Sequence, residues 1–163
     1  MIGVNFANIE VDFVRERINP NFAWIPHDAF SAFNPLLVPL SEARVAFVTT
    51  AGAHLPGQRP FDLKAAEGDP SYREFPTVTP LDDLILTHRG YNTSHASMDK
   101  NVVLPLDHLR AALEVGRIGS LSANVYSTMG FVSDVEPLVN ETGLAIAERL
   151  RLDDVDLVLM APT

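Results

Sequence analysis

The run Arg44-Val-Ala-Phe-Val-Thr49 passes straight into Thr50-Ala51-Gly52. A short apolar run closed by a glycine turn is how a strand of a parallel sheet, covered on both faces, reads in sequence. Asp83-Leu-Ile-Leu-Thr87, closed by His88-Arg89-Gly90, and Val155-Asp-Leu-Val-Leu-Met160 have the same character. Ser122 to Tyr126 is expected as a further strand. Pro105 opens a helix with Leu106, Leu109 and Leu113 on one face, stopped by Gly116. Ser133 and Glu136 have the spacing of a capping box. The helix after them carries Val135, Leu138, Val139, Thr142, Ile146 and Leu150 at helical period. Strands alternating with helices predict an α/β fold, a mostly parallel sheet with helices on both faces.

Ile9 to Ile18 predicts a short helix, with Ile9, Phe13 and Arg17 at four-residue spacing and Asn19-Pro20 ending it. Residues 19–39 are rich in Pro, Asn and Phe and include Trp24. That many aromatic residues predict an ordered, irregular arm packed on the domain. Residues 1–163 are therefore expected to form a single α/β domain, with 1–42 as its N-terminal arm.

Composition narrows the function. The 163 residues are 47% apolar and carry a net charge of -9. No segment gathers Lys and Arg into a stripe, so nucleic acid is not an expected partner. No apolar run approaches the roughly 20 residues that span a bilayer, and the start lacks the basic flank and apolar stretch of a signal peptide. The absence of cysteine rules out disulfides, thiolate metal sites and a cysteine nucleophile within these residues, and points to the cytoplasm.

In open α/β sheets ligands bind beyond the carboxyl ends of the strands. The expected site loops are 50–57, 87–101, 126–133 and whatever follows Met160. Thr49, Thr50 and Gly52 make a polar cradle after the first strand. Ser127, Thr128 and Gly130 precede a helix start, where backbone amides hold an anion or simply cap and turn the chain. No dinucleotide or Walker motif is present. His54 and His88 each follow a strand, His54 as a proton donor or ligand anchor, or else as a turn or subunit contact. His95 and His108 read as structural or solvated, and His27 carries no signal. His88, His95 and Asp99 offer a two-histidine, one-carboxylate set for iron or zinc, though not at the spacing of a helical pair.

Six stretches appear in a recognisable order: Val48-Thr-Thr-Ala-Gly-Ala-His-Leu55, Gly68-Asp-Pro-Ser-Tyr-Arg73, His88-Arg-Gly-Tyr91, Asp99-Lys-Asn-Val-Val-Leu-Pro-Leu106, Gly116-Arg-Ile-Gly-Ser120 and Ser127-Thr-Met-Gly130. Together they resemble the B-type subunits of the glycine, sarcosine, betaine and D-proline reductases, over roughly residues 43 to 163. The resemblance implies reductive cleavage of a carbon–nitrogen bond beside a carboxylate. It implies a selenocysteine or cysteine nucleophile, and a partner subunit whose pyruvoyl group captures the substrate amine. Met160-Ala-Pro-Thr163 matches the family's last positions before that nucleophile, so the chain is expected to be cut short at a selenocysteine codon, the alternative being a short protein without the nucleophile. No cofactor is expected in this chain itself.

The resemblance makes His54 and His88 candidates for activating the amine, with Thr50, Gly52, Ser127 and Thr128 as substrate contacts. Arg73 is the candidate for the substrate carboxylate, since a guanidinium offers two parallel donors. An ion pair of Arg73 with Asp69, Glu74 or Asp99 that merely fixes the loop stands beside that assignment. A non-catalytic assembly subunit and a small metal-dependent enzyme are the competing functions. A last strand left bare on one side predicts a homodimer or larger assembly.

Overall fold

A computed structural model describes residues 6–17, 20–23 and 34–163 of the chain. Trp24 and His27, with the rest of residues 24–33 of the expected arm, lie outside the described residues. The chain divides into two compact units, Met1–Pro35 and Leu36–Thr163. In the first, helix α1 (Phe6–Arg17) covers most of the predicted helix. Its Arg15 Nε donates to the Phe22 carbonyl at 2.7 Å, and the Arg17 guanidinium lies 5.3 Å from the Phe13 ring.

The second unit is a mixed α/β fold built on β1 (Arg44–Thr49), which is buried along nearly its whole length. Parallel partners lie along β1. β5 (Ser120–Leu121) pairs with its start and β6 (Asn124–Thr128) with its end, while β7 (Leu157–Ala161) pairs from Val45 to Thr49. β3 (Tyr72–Pro76) adds an antiparallel edge to β6. Alternating side chains send Phe47 and Val125 to one face of this sheet and Val48 and Tyr126 to the other. The first face packs on Leu106 and Leu109 of α3 (Leu106–Glu114); the second packs on Ile146 and Leu150 of α4 (Gly143–Leu152). The mostly parallel sheet with helices on both faces is therefore present. No helix among the described residues is long and apolar enough to cross a membrane.

Five local expectations are corrected. The run 83–87 is not a buried strand of the parallel sheet. Leu81–Asp83 forms a 3-10 turn, and β4 (Ile85–Leu86) pairs antiparallel with β2 (Ala53–His54) in a separate small sheet. Only Leu84 of the run is buried; Ile85 faces solvent. The strand expected at 122–126 is displaced to 124–128, and Ser122 and Ala123 before it give their carbonyls to Thr77.

The capping box does not close. Ser133 Oγ bonds Glu67, and the Asp134 side chain accepts from the Glu136 amide instead. A π-helical turn over Leu138–Thr142 precedes α4 and rotates the helical register. Thr142 and Ile146 face inward, but Val135 and Val139 turn to solvent, Val139 being 61% exposed. Finally, β7 pairs as a strand without being buried. It is the sheet's edge, and Leu157, Val158, Leu159 and Met160 are all exposed, Met160 by 65%.

The rotated register has a direct consequence for stability. Ile146→Ala is expected to cost about 2–5 kcal/mol, as for other buried Ile truncations. Val139→Ala is expected to stay within about 0.5 kcal/mol, as for a surface change. Urea unfolding midpoints of the two variants check this; equal losses would contradict the register.

Candidate functional site

The carboxyl ends of β1, β6 and β7 meet at one point. Beyond β1, the Thr50 amide donates to the Ala161 carbonyl at 3.2 Å, and Thr50 Oγ1 accepts from the Thr163 amide at 2.7 Å. Beyond β6, Met129 bridges to Ala51, and Gly130 follows. A Cβ placed on Gly130 would lie 2.8 Å from the Thr163 carbonyl oxygen, 2.9 Å from Thr50 Oγ1 and 3.2 Å from His88 Nε2. Glycine is what lets these three groups converge.

His88 reaches the cluster through Gly52, whose φ of +68° turns the chain after β1. The Gly52 amide donates to the Thr128 carbonyl at 2.9 Å, and the Thr87 amide donates to the Gly52 carbonyl at 2.9 Å. A Cβ on Gly52 would sit 2.1 Å from the Thr87 oxygen. The left-handed turn and this close approach both exclude a side chain.

The His88 ring is buried and lies against Tyr91, with ring centroids 4.6 Å apart. Tyr91 is anchored in turn, its hydroxyl donating to the Ala51 carbonyl at 3.1 Å. Both ring nitrogens of His88 face backbone donors: the Gly90 amide stands 2.8 Å from Nδ1 and the Gly130 amide 3.1 Å from Nε2. A neutral imidazole has one lone pair and one N–H, so it satisfies only one of these amides. An imidazolium would face two donors and satisfy neither. Whichever nitrogen carries the proton, one of the two amides is left facing an N–H instead of a lone pair. Burial also lowers the His88 pKa below its ordinary value of 6.5.

The other candidates are placed as follows. His54 is buried with both nitrogens engaged, Nδ1 with the Leu55 carbonyl at 2.9 Å and Nε2 with Thr87 Oγ1 at 2.9 Å. Its ring stands edge-on to Phe61. Ser127 is fully buried, and its Oγ accepts from the Ala53 amide at 2.8 Å; Thr128 is buried as well. Thr50 and Gly52 adjoin the cluster directly.

Arg73 donates to the carbonyls of Arg59, Tyr72 and Pro60 and to Ser71 Oγ, and pairs with Asp69 at 3.7 Å. The Asp69 ion pair weighed from the sequence is thus present. His95 and Asp99 are exposed, at and beside the short helix α2 (Thr93–Met98), away from the buried His88. Among the described residues no three His, Asp or Glu side chains gather as a metal-binding group. An open groove of about 890 Å³ lies at the opposite end of the sheet, near Thr77, Leu81, Arg110 and Ser122. Arg110 there is consumed by the Thr77 and Thr79 carbonyls and by Asp107.

Tyr91 and Arg89 were missed as site residues. The stretch His88-Arg-Gly-Tyr91 was itself the signal. The Arg89 guanidinium lies 4.5 Å over the Phe131 ring, next to Gly130.

Because His88 protonates more readily unfolded than folded, its contribution to stability is complete above pH 6.5. That contribution is lost as pH falls from 6.5 through the lower folded value. His88→Gln is expected to show a shallower fall in stability than the parent just below pH 6.5, read from urea unfolding at successive pH values. Equal slopes would contradict the neutral, donor-facing imidazole.

The family model for glycine/sarcosine/betaine reductase selenoprotein B matches residues 15–163. The chain is 31% identical over 137 residues to the D-proline reductase subunit gamma of Acetoanaerobium sticklandii, covering 84% of this chain and 55% of that protein. It is 31% identical over 157 residues to the glycine reductase complex component B subunit gamma of Carboxydothermus hydrogenoformans, covering 93% of this chain and 34% of that one. The betaine reductase complex component B subunit beta of Peptoclostridium acidaminophilum is 33% identical over 129 residues, covering 76% of this chain and 29% of its own length. The chain thus spans about half or less of the relatives it matches. No solved structure matches it. The chain belongs to the glycine/sarcosine/betaine reductase selenoprotein B family.

Proposed function

We propose that this chain is the portion of a selenium- or thiol-dependent amino-acid reductase subunit that builds the cradle for a redox nucleophile following Thr163. The observation that carries this reading is the hold on Thr163. Its amide is bonded by Thr50 at 2.7 Å, and its carbonyl lies against Gly130, whose missing side chain would also have met His88 Nε2. A residue continuing from Thr163 starts from that point.

A selenolate or thiolate there supplies a nucleophile that is ionised near neutral pH. A pyruvoyl group on a partner subunit would supply a carbonyl able to capture a primary or secondary substrate amine; the quaternary nitrogen of a betaine-type substrate has no lone pair for it. The residues of this chain do the positioning. Thr50 fixes the last backbone amide, and Gly130 keeps the space free of a side chain. The uncharged His88 and the two amides at its ring leave an N–H donor without an acceptor, available to an anionic group that arrives beside it. The substrate class is a small amino acid or derivative of the glycine, sarcosine, betaine or D-proline type. With no cysteine among its 163 residues, the chain alone is expected to be inactive.

The open β7 edge favours an added role in assembly. Parallel strands are ordinarily covered on both faces, and an apolar strand edge is prone to pair. We propose that another protein surface, in the isolated chain a second copy, covers Leu157 and Leu159, which share one face of β7. Sedimentation is expected to show a dimer or larger species; a monomer across a wide concentration range would contradict self-association.

The nucleophile is tested at the coding DNA. A TGA or cysteine codon directly after codon 163, followed by further in-frame sequence, is expected. A different sense codon there would contradict the assignment. The activity is tested by joining the full-length subunit to its pyruvoyl-bearing partner. Failure to cleave glycine, sarcosine, betaine or D-proline would sink the reductase reading.

A further inference from the structure

A substrate carboxylate needs a cation near His88, and the cation singled out by the sequence is already occupied. Arg73 spends its donors on the Arg59, Pro60 and Tyr72 carbonyls and on Ser71, with Asp69 as its counter-ion. A ligand carboxylate would have to displace that network.

Arg89 presents the opposite case. It directly follows His88 and is exposed. Its Nη atoms donate only to neutral carbonyls, Ala65 at 3.0 Å and Ala66 at 3.4 Å. Among the described residues it forms no ion pair, although the whole chain carries a net charge of -9. Its guanidinium lies 4.5 Å over the Phe131 ring, which restrains its plane without neutralising its charge. Phe131 also ties the cation to the cluster. A Cβ on Gly90 would lie 3.5 Å from the Phe131 Cβ and 2.9 Å from His88 Cε1. The loop that carries the Ala65 and Ala66 carbonyls is pinned to the same neighbourhood, since the Ser133 amide donates to the Glu67 carbonyl at 2.8 Å.

We infer that Arg89, and not Arg73, is the carboxylate-binding residue of this site, selecting small ligands that bear a carboxylate beside the reacting centre. The inference rests on the proposed reductase reading for its substrate class, but the binding itself does not require turnover. With one N–H of each Nη given to a carbonyl, Arg89 keeps its Nε–H and a second N–H on each Nη for a carboxylate, and its restraint by Phe131 and the two carbonyls reduces what must be ordered on binding.

The test is a titration of the 163-residue chain with acetate and, separately, with its uncharged analogue acetamide, followed by the backbone amide shifts of Gly90 and Gly130. Acetate is expected to move both amides saturably, and acetamide to leave them in place. Arg89→Gln is expected to weaken the acetate response tenfold or more, with Arg89→Lys in between, because an ammonium keeps the charge and loses the fork. Acetate and acetamide acting alike on the parent, no acetate response at all, or an Arg89→Lys response equal to the parent's would each overturn the inference. None of these results touches the coding sequence or the turnover assay, so the inference and the reductase reading fail separately.

Discussion

Strand β1 makes parallel hydrogen-bonded pairs along both of its edges, and the candidate site is assembled from its carboxyl end. β5 and β6 share one edge while β7 runs the length of the other, in register from Val45 with Leu157 to Thr49 with Ala161. Parallel pairing brings the strands' carboxyl ends to the same side of the sheet. That is why Thr50, Gly130 and Thr163, far apart in sequence, stand in contact. The two core faces keep the arrangement fixed, with Phe47 and Leu106 on one side and Val48 and Ile146 on the other. A slip of one residue in the β7 pairing would exchange its faces and carry Thr163 away from Thr50.

The electrostatics of the cluster follow from its backbone. His88 is enclosed by Tyr91 on one side and by the Gly90 and Gly130 amides at its two nitrogens. Such a pocket rejects a second proton on the ring and is short of one acceptor. An anionic group at the end of β7 would supply that acceptor. The same backbone convergence that leaves the shortage therefore defines the kind of ligand that removes it, a link from fold to chemistry that does not depend on the relatives' names.

Much of this was legible in the residues, and the parts that were not have physical causes. The strand Arg44–Thr49 and the helix Leu106–Glu114 follow from local periodicity and from Pro105 and Gly116 at the helix ends. The run 155–160 reads as a buried strand, yet what covers a strand is a tertiary matter, and β7 lies at an edge. The face of the helix after Ser133 was misjudged because a π-helical turn inserts at Leu138–Thr142, and periodicity assumes a constant pitch. His88 was visible as a histidine after an apolar run. Its two donor neighbours were not, because Gly130 lies across the sheet. The arginines show the same limit: Arg73 and Arg89 are alike in composition and motif, and they differ in which carbonyls and carboxylates the fold sets around them.

The central claim is that a residue following Thr163 enters a pocket of hydrogen-bond donors beside His88. It is tested most directly by extending the chain with one cysteine after Thr163 and a short Gly-Ser tail, which makes that thiol the only one present. The pH dependence of its alkylation by iodoacetamide reports the thiol pKa. A midpoint below the roughly 8.5 of free cysteine, moving back upward in His88→Phe, is the result the account predicts. A midpoint at or above that value in both proteins would contradict it.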